Sequence, residues 1–276
     1  MKNIIVTIMM LGLLANLALA QSDNRKITRI EGDVYRFQNN FHVNVFTITD
    51  AGVVVTDPIN ADAAAWLKSE IAKLTGQPIT HLIYSHSHGD HASGGAAYGD
   101  VATVIAQQNA PDSIDGVMPT VRFNDEMQFS HGGKTFELTY LGPGHGKELT
   151  ALVIRPENIA FVVDAVSSKR LFYRDFPGSN VDDWMNQVAK VQSLEFVTFV
   201  GGHGPVGVKS DVDDGLAYLK QLRAEVLKGL RAGKTVDQLG ESIKMVKYQD
   251  WASYDQWLKL NIQGMARYLK ESGEVQ

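Results

Sequence analysis

Apolar and polar residues alternate in short bursts along residues 26–57 of this 276-residue chain. Turn-forming groups such as Asn39-Asn40 and Asp50-Ala51-Gly52 separate the bursts. A two-residue period broken by such turns predicts an antiparallel meander of strands. Helical spacing follows, because Asn60 can cap a helix and apolar residues then recur three or four positions apart until Gly76. These apolar residues are Ala64, Leu67, Ile71 and Leu74.

The middle of the chain shows the same two patterns of apolar residues, which predict strands with interspersed helices. The predicted strands cover residues 80–84, 101–106, 126–130, 135–140, 151–155, 159–163 and 196–200, and a helix covers 181–193. After Gly207 the pattern is helical, with an apolar stripe that begins near Ser210 and ends at Gly233. Two capping boxes predict further helices there, Thr235 with Gln238 and Ser253 with Gln256. Strands mixed with helices predict sheet layers with helices outside them.

The first twenty residues have a different character. Lys2 precedes an almost uninterrupted apolar run to Leu19, and small residues end it just before the polar Gln21. This layout predicts a secretory signal peptide over residues 1–20, so that the product is periplasmic or secreted. Residues 21–276 contain no low-complexity segment and no short-period repeat, which predicts one domain with a helical C-terminal segment.

Charge and cysteine content narrow the classes of partner and ligand. The formal net charge is −5 at pH 7, and signal cleavage would remove the further positive charge of Lys2, so nucleic-acid binding has no electrostatic support. No later apolar run is long enough to span a bilayer, so the expected partner is a small-molecule substrate rather than a membrane. The oligomeric state stays open. Cysteine is absent, so nitrogen and oxygen must hold any metal.

The strongest chemical signal is the segment His86-Ser87-His88-Gly89-Asp90-His91, which directly follows the predicted strand 80–84. Imidazole and carboxylate are the ligands that zinc prefers when thiolate is absent. His86 and His88 are two positions apart on extended chain, so their side chains can point towards one ion. Asp90 and His91 lie on the following turn and can face a neighbouring ion.

Three more candidate ligands lie at predicted junctions between strands and loops. His145 and His203 are each flanked by glycines, and Asp164 ends the predicted strand 159–163. Glycines beside a histidine allow the backbone to approach closely and turn sharply around a metal. The neighbouring Lys169 and Arg170 are candidates for binding an anionic part of a substrate. The isolated histidines are interpreted as structural or solvated and outside the site: His42, His81 and His131.

The motif H-x-H-x-D-H, followed in order by G-H, a strand-terminal Asp and G-H-G-P, resembles the metallo-β-lactamase superfamily over nearly the whole mature chain. Asp57, which ends an early predicted strand, matches the first motif of that superfamily. The resemblance implies an α/β (α+β) domain built as a four-layer αββα sandwich. It implies two Zn²⁺ ions, with iron or manganese possible by ligand type.

Carried over by position, the resemblance implies a role for each candidate residue. His86, His88 and His145 would hold one ion, while Asp90, His91 and His203 would hold the second. Asp164 would bridge the two ions. Asp57 would order the histidine loop through hydrogen bonds.

Branches of the superfamily differ in their metal ligands, and these differences narrow the branches that this chain can resemble. The absence of cysteine excludes the zinc β-lactamases that have a cysteine ligand, and the cysteine-free β-lactamases lack a bridging Asp such as Asp164. The full set of candidate metal ligands, with Asp164 included, instead resembles the glyoxalase II, lactonase, alkylsulfatase and quinoprotein-associated hydrolase branches. A diiron flavoprotein would carry Glu at the position of His88, so redox chemistry is disfavoured.

The function predicted from these residues is that of an exported dinuclear zinc hydrolase of an ester, thioester, lactone, amide or sulfate ester. A hydroxide between the ions would be the nucleophile, and Asp90 would orient it and carry a proton. Three alternatives stay open: a periplasmic β-lactamase, a mononuclear iron sulfur oxygenase, and a non-catalytic zinc accessory protein of a quinoprotein system. The substrate also stays open, because pocket loops vary freely on one fold.

Overall fold

A computed structural model describes residues 24–275 of the chain. The predicted signal peptide over residues 1–20 lies outside the described residues. Within that range the strands form a seven-stranded and a six-stranded sheet. No helix between residues 24 and 275 is both long enough and apolar enough to cross a membrane.

The first sheet is laid out in chain order. Its strands are β1 (Arg25–Glu31), β2 (Val34–Asn39), β3 (His42–Thr49), β4 (Gly52–Thr56), β5 (Ile79–Ile83), β6 (Thr103–Gln107) and β7 (Val121–Phe123). β1 to β4 pair in antiparallel fashion, which confirms the predicted meander. β4 to β7 pair in parallel, so the carboxyl ends of these strands meet at one edge of the sheet.

The second sheet has the spatial order β13-β12-β11-β10-β9-β8. Its strands are β8 (Glu126–His131), β9 (Lys134–Tyr140), β10 (Thr150–Arg155), β11 (Ile159–Val162), β12 (Thr198–Gly201) and β13 (Gly207–Val208). Only β11 and β12 pair in parallel among the described strands of this sheet. β9, β11 and β12 therefore run in the same direction and end at one edge.

The helices follow the predicted pattern, with one correction. They are α1 (Ala61–Leu74), α2 (Gly89–Ala92), α3 (Val181–Ser193), α4 (Lys209–Arg231), α5 (Val236–Ser242) and α6 (Tyr254–Glu271). Asn60 caps α1 by accepting a hydrogen bond from Ala63 N at 2.9 Å, and Thr235 forms the predicted capping box of α5. The box predicted at Ser253 is wrong. Its backbone is left-handed, with φ 66°, and its hydroxyl makes no capping bond to α6.

Three apolar clusters hold four layers together. Successive residues of a strand point to opposite faces, so Val54 packs between the sheets while Val53 and Val55 pack outwards against α1. In the second sheet Phe161 faces the first sheet, and Val162 faces the outer layer formed by α3, α4, α5 and α6. Strands buried on both faces explain the continuous apolar runs in the sequence. The predicted αββα sandwich is confirmed.

Candidate metal centre

The predicted ligands all follow the carboxyl ends of strands. Asp57 follows β4, and the segment from His86 to His91 follows β5. In the second sheet His145 lies in the loop after β9, Asp164 follows β11 and His203 follows β12. Since these ends meet at one edge of the two packed sheets, residues far apart in sequence come within bonding distance of one another.

One group of donors consists of His86, His88, His145 and Asp164, whose ligand atoms all lie within 4.8 Å of one another. His88 Nδ1 lies 3.0 Å from His145 Nε2. Asp164 Oδ2 lies 3.3 Å from His145 Nε2 and 3.7 Å from His86 Nε2. The structure thus brings together the three imidazoles that the resemblance assigns to one ion.

A second group consists of His42, Asp90, His91 and His203, with ligand atoms again within 4.8 Å of one another. His91 Nε2 lies 3.3 Å from His203 Nε2 and 3.9 Å from Asp90 Oδ2. Asp90, His91 and His203 are the predicted second set. The structure adds His42, which the sequence interpretation left outside the site.

Asp164 stands between the two groups. Its Oδ1 lies 3.2 Å from His203 Nε2, and its Oδ2 lies 3.6 Å from His91 Nε2 as well as facing the first group. The residue has left-handed backbone, with φ 58°, in a tight turn where Ala165 N donates to Val163 O at 2.7 Å. Asp tolerates this conformation better than most residues. The turn aims the carboxylate at both groups, as a bridging role requires.

A buried hydrogen-bond chain links Asp57 to the first group. Its carboxylate accepts from Ser85 N at 2.8 Å and from Ser85 Oγ at 2.6 Å. Ser85 Oγ in turn lies 2.9 Å from His86 Nδ1, and Asn44 Nδ2 donates to the carbonyl of Asp57 at 2.7 Å. Burial raises the pKa of Asp57 to about 7, although the bonds from Ser85 oppose it. Through Ser85, these contacts join Asp57 to the ring of His86.

Two polar residues that the sequence reasoning missed support the histidine loops. Glu148 accepts a hydrogen bond from Ser87 N at 2.9 Å, next to His86 and His88. Gln187, on the buried face of α3, accepts from His145 N at 2.8 Å and donates to the carbonyl of Gly142 at 2.7 Å. A buried Gln inside an otherwise apolar helix stripe is the one signal in the sequence that could have pointed to this role.

The loop between β2 and β3 supports the second group. The carbonyl of Phe41 accepts a hydrogen bond from His203 Nδ1 at 2.7 Å, and this bond fixes the orientation of the ring. Val43 N donates to the carbonyl of Gly202 at 2.8 Å. A side chain at Gly202 would clash, since a Cβ there would lie 2.6 Å from Val163 Cγ1 and 2.9 Å from His91 Cε1.

The electrostatics of the site keep His86 and His91 neutral beside the ionised carboxylate of Asp164. Burial holds the pKa of His86 well below the ordinary 6.5 and lowers the pKa of His91 to about 4. Burial raises the pKa of Asp164, but the imidazoles of His91, His145 and His203 outweigh it, and this pKa lies well below its ordinary value. Burial lowers the pKa of His203, yet its hydrogen bond to Asp164 reverses the sign and the net pKa is raised.

The donor atoms fit divalent metal ions. His86 Nε2 is buried and has no hydrogen-bond partner within residues 24–275, while its Nδ1 is occupied by Ser85. A buried imidazole nitrogen without a partner is costly, and a coordinated ion would satisfy it. Imidazole and carboxylate donors at these separations are typical of sites for zinc and similar first-row metals.

A cavity of about 540 Å³ opens over both groups. Arg170 lines it, with its guanidinium 4.7 Å from the ring centre of Trp257. Within the described part of the chain this guanidinium makes no hydrogen bond and no ion pair. Lys169 has left-handed backbone, with φ 48°, and its exposed side chain does not line the cavity. Of these two basic residues, which the sequence made joint candidates for binding an anion, only Arg170 therefore lines the cavity.

Solved structures that superpose on this chain identify the fold. A metallo-β-lactamase from Pontibacter korlensis superposes with a TM-score of 0.63 at 19% identity, over 71% of this chain and 99% of that one. The stereoselective inverting sec-alkylsulfatase Pisa1 from Pseudomonas sp. superposes with a TM-score of 0.76 at 13% identity, over 89% of this chain and 50% of that one. The chain has the metallo-β-lactamase fold.

Two described proteins are similar in sequence to part of this chain, which has the metallo-β-lactamase fold. The α subunit of a 2,4-dinitroanisole O-demethylase from Nocardioides sp. (strain JS1661) is 26% identical over 210 residues, which are 72% of this chain and 63% of the relative. A β-lactamase-like protein 2 homolog from Caenorhabditis elegans is 24% identical over 206 residues, 72% of this chain and 65% of the relative. The chain thus spans just under two thirds of these relatives. No protein-family model matches it.

Proposed function

We propose that this metallo-β-lactamase fold chain is a metal-dependent hydrolase that holds two divalent ions, with zinc favoured by the donor types. One observation carries the proposal: two groups of imidazole and carboxylate donors share Asp164 beneath a single cavity. His86, His88 and His145 would hold one ion, and Asp90, His91 and His203 the other. Ions bound there supply Lewis acidity, which activates water near neutral pH and polarises a substrate oxygen.

The chain's own residues position the reactants. The side chain of Asp90 is about half exposed, at 51%, and lines the cavity, so its carboxylate can orient a water at the reacting centre. The hydrogen bond with His42 holds the pKa of Asp90 well below its ordinary value and keeps this carboxylate ionised. Asp164, by contrast, is enclosed by imidazoles and fixes the spacing of the two groups. The side chain of Gln187 holds the backbone of His145, and the backbone carbonyl of Phe41 holds the ring of His203.

The cavity supports a small substrate with an apolar body and an anionic or strongly polar group. Its volume of about 540 Å³ lies in the range of small-molecule sites. Leu171, Phe172 and Trp257 provide apolar walls. The Arg170 guanidinium stacks on Trp257 and makes no hydrogen bond or ion pair with residues 24–275, so it can bind a carboxylate, sulfate or phosphate oxygen through two parallel hydrogen bonds.

Metal analysis combined with a substrate panel tests the proposal. The purified protein is assayed for bound metals, and then for hydrolysis of a chromogenic cephalosporin, a lactone, a thioester, an alkyl sulfate and 2,4-dinitroanisole. His88→Ala and His91→Ala should each lose one ion and reduce kcat/KM by at least about 1000-fold, because activation of water depends on both ions. His131→Ala is the matched control, since that imidazole packs against His81 instead.

Each outcome separates the candidate functions. About two zinc ions per chain with turnover of one substrate class would support the hydrolase and name its substrate. Turnover of the cephalosporin alone would favour the β-lactamase. One iron with oxygen uptake would favour the sulfur oxygenase, and full zinc occupancy without turnover of any substrate would favour the accessory protein. Unchanged activity in His88→Ala or His91→Ala would refute the ligand assignment.

A further inference from the structure

His42 lies at the amino end of β3, and its imidazole faces the second group of donors. Its Nε2 is 3.4 Å from Asp90 Oδ2. Its ring centre is 5.0 Å from that of His203 and 5.4 Å from that of His91. Among the described residues, the polar groups that its ring contacts are Asp90 and these two imidazoles, all of them members of the second group. Within that part of the chain, no polar residue outside the second group holds this imidazole elsewhere.

The spacing of these atoms matches that of ligands around one ion. Ligand atoms held 2.0–2.2 Å from one zinc lie about 2.8–3.8 Å apart when five of them, Asp164 included, surround the ion. The separations of 3.4 Å from His42 to Asp90 and 3.3 Å from His91 to His203 fall in that range. The separation of 3.9 Å from Asp90 to His91 is slightly longer. All four donors lie within 4.8 Å of one another.

The backbone fixes His42 against the loop of His203. The β2–β3 hairpin turns at Asn40, whose φ is 54°, and pairs Asn39 with His42. The next two contacts join this hairpin to the opposite sheet: His203 Nδ1 at the Phe41 carbonyl, and Val43 N at the Gly202 carbonyl. His42 lies between those two anchors, so its position depends on the same contacts that orient His203.

We propose that His42 is an additional protein ligand of the second ion, beside Asp90, His91 and His203. The inference rests on the proposed two-metal function and extends it by one residue. A further imidazole raises the affinity of this position and occupies a coordination place that water or substrate would otherwise take. The second position would then serve mainly to hold its ion and Asp90, and an incoming substrate would meet the position formed by His86, His88 and His145.

Stepwise metal titration tests this assignment with a readout that is independent of turnover. Metal-free wild type, His42→Ala, His42→Asn and the control His131→Ala are titrated with Zn²⁺ against a chromophoric chelator, and with Co²⁺ while the visible spectrum is recorded. In both His42 variants the dissociation constant of one equivalent should rise by more than about 100-fold, beyond the effect of residues that only orient a ligand. The dissociation constant of the other equivalent should change by less than about threefold. The visible spectrum of one bound Co²⁺ should shift relative to that of the wild type.

The outcomes distinguish this inference from the function on which it rests. If wild type binds two ions and both His42 variants bind two with unchanged affinity and spectrum, the ligand assignment is refuted while the two-metal function stands. If both variants lose both ions in parallel while His131→Ala keeps them, His42 organises the site and does not ligate, which also refutes the assignment. If wild type binds fewer than two ions, the proposed function fails and this inference fails with it.

Discussion

Gln187 provides a sharp test of how the fold holds a metal ligand. It is fully buried, accepts a hydrogen bond from the backbone of His145 and donates one to the carbonyl of Gly142. Gln187→Leu keeps a similar volume and removes both bonds. Each bond contributes about 0.5–1.5 kcal/mol, and both partner groups are only partly buried, so the free energy of unfolding should fall by about 2 kcal/mol.

Two measurements check this magnitude. A loss of about 2 kcal/mol lowers the melting temperature of a chain of this size by about 4–8 °C, measured by circular dichroism on the metal-free protein. Because the His145 loop loses its anchor, the affinity of the first metal position should fall by about 10- to 100-fold in a zinc titration. Gln249→Leu is the control, since Gln249 is exposed and distant in sequence from the ligands. If both variants have the same melting temperature and zinc affinity, Gln187 does not position His145.

Two further predictions concern a glycine of the site and a histidine outside it. Gly202→Ala should weaken the second metal position by at least about tenfold, since its Cβ would meet His91 and Val163; the same zinc titration checks this, and an unchanged affinity would contradict the close packing. Burial, helped by His131, lowers the pKa of His81 from 6.5 to about 4, so the unfolded chain binds more protons between these values and stability should fall as the pH drops through that window. His81→Asn should lose less stability than wild type between pH 6.5 and 4 in urea unfolding, and an equal loss in both proteins would show that His81 does not cause the dependence.

Long periodic elements could be predicted from the sequence. The helix predicted over 181–193 has those bounds in the structure, because an apolar stripe and a cap at Asn180 determine it locally. β7 and β13 were not predicted, since three and two residues are too few to show a period. Ser253 has the residue types of a capping box, but its left-handed backbone prevents the box, and no local pattern reports that conformation.

In the candidate site too, local sequence patterns predict some residues, whereas others come together only in the folded chain. The predicted ligands come together because each lies in a segment that follows the carboxyl end of a strand, and strand ends can be located from local patterns. His42 could not be assigned that way, since its contacts with Asp90, His91 and His203 exist only after the two sheets pack. Lys169 and Arg170 are neighbours in sequence, yet only Arg170 faces the cavity, and the backbone turn at Lys169 carries no sequence signal.

Each donor group contains residues from both halves of the chain, so bound ions would connect the two halves. The first group joins His88 to His145, 57 positions later, and the second joins His91 to His203, 112 positions later. In a chain without cysteine, bound ions would act as reversible cross-links that close these long loops, much as disulfides do. Metal starvation would then loosen one half from the other and expose the chain to proteases, so that metal supply would influence the abundance of the protein.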